Sequence, residues 1–283
     1  ELRNQCHQIS AINRYLCNKH ERKAMDKKIT IIGAGNLATR VALELHNQGV
    51  EIVQVYSRTV TSALTLAKLI GCNYVTRPEK ITSDSDIYLI SVSDMAFSGL
   101  LKEVKFNNKL IAHTAGSIPM EDLKKYSSNY GVFYPLQTFS KYRDVNFSRI
   151  PFCIEGNTPE NEQTLVDLAS IISKDVRVIT SEQRKQLHLA AVFASNFVNH
   201  MYSIASELLQ QKDLPFDIIR PLIAETASKV KNMTPRAAQT GPAVRNDKNI
   251  MTEHLSMLNQ NAKLKKMYSM ISENIYDFHK IPK

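Results

Sequence analysis

An α/β architecture is expected for this chain: a doubly wound, mostly parallel sheet over residues 25–180, then an all-helical C-terminal domain over residues 181–283. Short β-branched runs alternate with amphipathic stretches up to about Ser181, the pattern of repeated βαβ units. Beyond Ser181 the helical period continues with no strand-like run. A length of 283 residues suits about two domains, and 43% hydrophobic with 22% charged residues is a composition able to bury a core.

The first strand, Ile29-Thr30-Ile31-Ile32, runs into Gly33-Ala34-Gly35-Asn36-Leu37-Ala38. Gly33 lets the chain turn sharply, Gly35 leaves the backbone open to a pyrophosphate, and Ala38 permits close helix–strand packing. Phosphates would then sit on the N-terminus of a helix starting near Asn36, where free N–H groups and the helix dipole favour negative charge. Strand, glycine turn and helix in that order are the context of a Rossmann dinucleotide-binding turn. Glu51–Tyr56 reads as the second strand and ends in Ser57-Arg58-Thr59. An NAD site offers an acid at this tip, whereas a cation with hydroxyl donors suits the 2′-phosphate of NADP. NADP is therefore the expected cofactor, the alternative being that Arg58 is a solvated loop charge.

The remaining elements follow by periodicity. Thr61–Ile70 is helix-like, Cys72–Val75 a short strand, Asp86–Val92 a longer one, and Leu110–His113 another. Ser117 is placed to cap a helix with Pro119 in its first turn. Val132–Tyr134, Phe152–Ile154 and Val176–Ile179 complete the strands, with a helix over Pro159–Ile172. Glu182–Gln211 is expected as one long helix, Leu214-Pro215 opens a second reaching about Met233, and Asn249–Phe278 supplies one or two more. Ligands should gather at the strands' C-terminal ends, and substrate in the cleft between the two domains.

The formal charge of +9 is not arranged as a basic run alternating with aromatics, so an anionic cofactor and substrate are favoured over nucleic acid. No apolar run approaches the roughly twenty residues of a membrane span. Cys6, Cys17, Cys72 and Cys153 lack CxxC spacing, so neither a zinc site nor a disulfide framework is expected, and a cytoplasmic setting is the simplest. Residues 1–24 are polar, carry three of the nine net charges and have no signal-peptide core. They read as a tail or upstream extension, with Met25 as the functional start.

Taken together, the chain resembles the Rossmann-like oxidoreductases with a DUF2520 helical C-terminal half, relatives of pyrroline-5-carboxylate reductase and the β-hydroxyacid dehydrogenases. The resemblance spans about residues 27–280. It rests on the segments 33–38, 57–58 and 92–94, His113-Thr114-Ala115-Gly116-Ser117, Tyr134-Pro135-Leu136-Gln137-Thr138-Phe139, Ala194-Ser195-Asn196 and residues 241–247. It implies NADP(H) binding and a homodimer through the helical half, and it names no substrate.

Val92, Ser93 and Asp94 end a strand where such folds pass the nicotinamide ribose, so they are expected to line the cofactor; Asp94 is equally suited to be a helix N-cap. His113 ends the next strand and is the candidate to exchange a proton during hydride transfer, with Ser117 close by; the other reading of His113 is a histidine bonded into loop backbone. Tyr134 departs from the histidine that many relatives place before this proline, and suits a hydrogen bond to a substrate oxygen better than general base work. Ser195 and Asn196 lie on the long helix, where His188, Ser195 and Asn199 share a face. The resemblance implies a polar dyad facing the nicotinamide from there, although the lysine that anchors it in β-hydroxyacid dehydrogenases is missing; helix–helix hydrogen bonding is the alternative. Arg245 offers a fork for an anionic substrate, and Asn246 or Asp247 caps the helix after it. The expected activity is NADP(H)-dependent oxidoreduction of a small, anionic carbonyl, imine or alcohol. An NADP-binding sensor or scaffold without turnover is the alternative.

Overall fold

The structure is a computed structural model and describes residues 25–280; the segment read as a tail, residues 1–24, lies outside the described residues. Eight strands form one sheet: β1 (Ile29–Ile32), β2 (Ile52–Tyr56), β3 (Asn73–Val75), β4 (Ile87–Ile90), β5 (Leu110–His113), β6 (Tyr130–Pro135), β7 (Phe152–Gly156) and β8 (Val176–Val178). Their order is β3-β2-β1-β4-β5-β6-β7-β8. All pairs are parallel except β6 with β7, where Val132 faces Glu155 and Tyr134 faces Cys153. The central strands β1, β4, β5 and β6 are buried throughout, so they are near-continuous apolar runs and not alternating ones.

Both faces of the sheet are covered. Helices α1 (Asn36–Asn47) and α2 (Val60–Ile70) send Ala38, Val41, Leu45 and Leu66 into one core with Ile31, Val55 and Leu89. After α3 (Asp94–Leu101) comes α4 (Pro159–Ile172), which adds Leu165, Leu168 and Ile172 to that core. On the opposite face Phe97 and Leu101 of α3 pack with Ile90, Tyr88 and Phe106. The chain leaves β1 toward one edge and resumes with β4 on the other side, a topological switch that opens a crevice at the strand ends.

Three local expectations are revised. Ser117 caps no helix: a 3-10 turn over Met120–Leu123 follows, with Pro119 at its N-cap position and no side-chain cap bond. The single helix expected over Glu182–Gln211 is α5 (Ser181–Ala191), a π-helical segment over Val192–Phe197, then α6 (Val198–Gln210). Leu214-Pro215 leads into a 3-10 turn, Phe216–Ile219, before α7 (Arg220–Asn232).

Contacts divide the chain between Asn199 and His200. The first part of the long helix therefore belongs with the sheet. The second unit continues with α8 (Pro235–Ala238), α9 (Pro242–Arg245), α10 (Lys248–Met257) and α11 (Ala262–Lys280). As expected, Asp247 caps α10 by accepting from the Ile250 N–H at 3.3 Å. No helix among the described residues is long and apolar enough to cross a membrane.

Candidate functional site

The two glycines of the β1–α1 turn answer to different constraints. Gly33 has φ +125°, and a Cβ there would run into the Ser91 carbonyl at the end of β4, so the fold itself requires glycine. Gly35 has an ordinary φ of −76° at the N-cap position of α1, and a Cβ built on it meets no atom within 4 Å. Nothing in the protein itself demands glycine at 35, and the space in front of the α1 N-terminus is open. No side chain caps that terminus, so its first N–H groups face this space. These features fit a pyrophosphate. Asn36 and Leu37 stand beside it, while Ala38 is buried against the sheet.

A cavity of about 430 Å³ extends from Gly33 and Gly35 past Ser93 to Ser57 and Arg58. Arg58 carries no hydrogen bond or salt bridge among the described residues, so its fork is available to a phosphate. Thr59 only precedes α2, without a side-chain cap bond and apart from the lining residues.

A larger cleft of about 890 Å³ shares Gly35 and Val92 with this cavity. Its wall includes Asp94, Tyr134, His188, Ser195 and Asn196. The Tyr134 hydroxyl lies 3.2 Å from Nδ1 of His188, with the rings edge to face at 6.2 Å. Burial raises the Tyr134 pKa, the nearby Cys153 adds to the rise and Arg184 opposes it, so the phenol stays protonated. Ser195 and Asn196 fall within the π segment, a distortion that recurs at functional sites because it re-aims side chains without breaking the helix.

The position of Asp94 is the first residue of α3, not its N-cap. Its carboxylate accepts a 2.6 Å hydrogen bond from the Ser117 hydroxyl. Ser117 is exposed at the rim and holds Asp94; it is not among the residues lining the cleft.

His113 is placed differently from the expectation of a proton-exchanging group. It is 0% exposed, packs edge to face on Phe97 and does not line the cleft. Its Nδ1 accepts the Ala115 N–H at 3.2 Å, while Nε2 is buried without a partner. Burial, reinforced by the Arg184 charge, lowers its pKa to about 3, so near neutrality the ring is uncharged and is a poor acid. The loop-backbone reading is the one its geometry fits.

One charged group behind the cleft had no signal in the sequence beyond its helical spacing. Arg184 on α5 is fully buried. It donates from Nη1 to Glu155 Oε2 at 2.6 Å and from Nη2 to the Ile118 carbonyl at 2.6 Å and the Ser181 hydroxyl at 3.0 Å. Glu155 also accepts the Ser181 N–H at 2.8 Å. In the second unit Arg245 ends α9, exposed and without an ion pair among the described residues.

Residues 28–115 match the family described as NADP oxidoreductase, coenzyme F420-dependent, and residues 150–275 match the domain of unknown function DUF2520. A Bacteroides fragilis protein assigned as an NADP oxidoreductase is 47% identical, with a TM-score of 0.86 over 89% of this chain and 98% of its own. The 1-pyrroline-5-carboxylate reductase of Streptococcus pyogenes shares the fold at 14% identity, with a TM-score of 0.60 over 89% of this chain and 98% of its own. Glutamyl-tRNA reductase of Saccharolobus islandicus is 35% identical over 113 residues, 36% of this chain. The chain spans only 25% of the length of these curated reductases. By the extent of the Bacteroides match and the two family assignments, this chain belongs to the family that joins an NADP oxidoreductase domain to a C-terminal DUF2520 domain.

Proposed function

We propose that the protein is an NADP(H)-dependent oxidoreductase acting on a small carbonyl, imine or alcohol. The observation that carries this reading is the Tyr134–His188 pair, which stands in the cleft that also has Gly35 and Val92 on its wall. The turn at Gly35 and the open N-terminus of α1 would hold the pyrophosphate. Ser57 and Arg58 would hold the 2′-phosphate, which is why NADP is preferred to NAD. The bound nicotinamide supplies or accepts the hydride.

The chain's own task is the proton. In reduction the substrate carbon gains hydride while its oxygen or nitrogen takes the Tyr134 hydroxyl proton, which His188 replaces from Nδ1–H as its Nε2 takes up a proton from solvent; oxidation runs the same path backwards. With His113 neutral and buried, this pair replaces it in the proton role. Ser195 and Asn196 orient the reacting groups from the π segment. A sensor without turnover would leave the Tyr134–His188 pair with no task.

An anionic substrate rests on Arg245 alone, because no lysine or arginine is among the lining residues of the cleft. A homodimer through the helical unit is supported by α6, α7, α10 and α11, none of which has a buried residue, and by exposed Ile218, Leu222, Met257 and Met270. Sedimentation analysis reads that directly.

The functional test is a substrate screen following NADPH oxidation with aldehydes, ketones and cyclic imines. Tyr134→Phe and His188→Gln should each lower turnover about 10²–10⁴-fold while NADPH affinity persists. Unchanged turnover in both would refute the proton role. Tight NADPH binding with no turnover on any class would favour the sensor.

A further inference from the structure

We infer that Arg184 and Glu155 are positioning residues that hold His188 at the height of Tyr134, an inference that rests on reading Tyr134 and His188 as the proton pair. The argument is one of matched spacings. Arg184 and His188 are four residues apart on α5, one turn on the same face, a rise of about 6 Å. On the sheet, Glu155 of β7 lies opposite Val132 of β6, and Tyr134 is two residues further along β6 on the same face, about 6.8 Å on. Pinning Arg184 to Glu155 therefore delivers His188 to Tyr134, with little left for the side chains to adjust.

A second pair of contacts holds the same two side chains against the loop after β5. The loop after β5 supplies the Ile118 carbonyl to Arg184 and, two residues earlier, Gly116 to His188. A Cβ on Gly116 would come within 2.5 Å of His188 Nδ1, so glycine there lets the imidazole sit against the loop. Met120 joins the same anchor by donating its N–H to the Ser181 hydroxyl at 3.0 Å. The guanidinium thus reaches a strand, a loop and its own helix turn at once. A lysine has the charge but not the planar fork that engages several acceptors. Glu155 is only 15% exposed at the side chain, which keeps water from competing for the bond.

The test uses the full chain labelled on histidine nitrogens, with His188→Gln assigning the signal. In the unsubstituted protein, Tyr134→Phe should shift the His188 Nδ1 resonance, because the hydroxyl partner is removed. In Arg184→Lys and in Glu155→Gln that response should be lost, with thermal unfolding still cooperative and NADPH affinity retained. Glu155→Gln keeps the shape of the site and serves if the arginine variant fails to fold. An undiminished response in both variants would overturn the positioning role and leave the proton pair standing. No response to Tyr134→Phe in the unsubstituted chain would overturn the pair and, with it, the positioning role.

Discussion

Substituting the two glycines of the β1–α1 turn separates what the fold needs from what the ligand needs. Gly33→Ala puts a side chain at φ +125°, a strain of about 1–3 kcal/mol, and drives it into the Ser91 backbone, which overpacks the turn by about 1–3 kcal/mol more. Relief by movement is resisted because the Ser91 N–H is already held by the Ile32 carbonyl at 2.7 Å. The expected loss is about 3–5 kcal/mol, a large share of the ~5–15 kcal/mol of a whole domain, and a melting point lower by about 10 °C. Gly35→Val meets open space at an ordinary φ, so its cost should stay near 1 kcal/mol, the penalty of a poor N-cap. Its effect falls on binding: NADPH affinity should drop by ~30-fold or more, since each lost charge-assisted bond is worth ~1.5–3 kcal/mol. Urea unfolding and NADPH fluorescence titration on the same preparations read the two effects. A stable Gly33→Ala protein, or a Gly35→Val protein binding NADPH normally, would refute the division of labour.

Arg58→Ala should weaken NADP(H) by about 10–100-fold and barely change NAD(H), as measured by titration with both cofactors; equal losses would mean that Arg58 does not meet the 2′-phosphate. Stability should depend on His113 in acid. Below its ordinary pKa of 6.5 the unfolded imidazole takes up a proton that the buried one refuses until about 3, so stability is complete above that window and is lost as pH falls through it. The slope is about 1.4 kcal/mol per pH unit at most, and denaturant unfolding of His113→Phe between pH 7 and pH 4 should show a shallower decline than the parent. Arg245→Ala should raise KM for an acidic substrate with kcat nearly unchanged, and an unaltered KM would remove the anion from the substrate description.

The centre of the sheet was legible because β1, β4 and β5 are apolar runs buried on both faces, and because the turn at Gly33 to Ala38 follows the first of them directly. Strand direction was less so: the pairing of β6 with β7 is antiparallel, and the run Phe152–Ile154 carries no mark of that. The placement of His113 was hidden for a related reason. A histidine at a strand end looks available for chemistry, but the backbone of β5 turns its ring under Phe97, and one-dimensional spacing cannot show which side of the rim a ring occupies. His188 shares its helical face with Ser195, a visible clue, whereas Arg184 looks like any surface cation on an amphipathic helix until Glu155 is brought beneath it. The π segment over Val192–Phe197 has no proline or glycine to announce it.

The reversed strand β7 also frees a stretch of chain from geometric duty. If strand register sets the height of His188 as proposed, the connection over residues 136–151 has no part in bringing Tyr134 and His188 together, although Gln137 to Phe139 line the cleft. Its outer end is bare, with Tyr142 99% exposed. Around Tyr142, ahead of the buried Phe147 and Ile150, length and composition can change without touching Tyr134 or His188, which makes this stretch a natural place for chains of the same scaffold to diverge in what they accept.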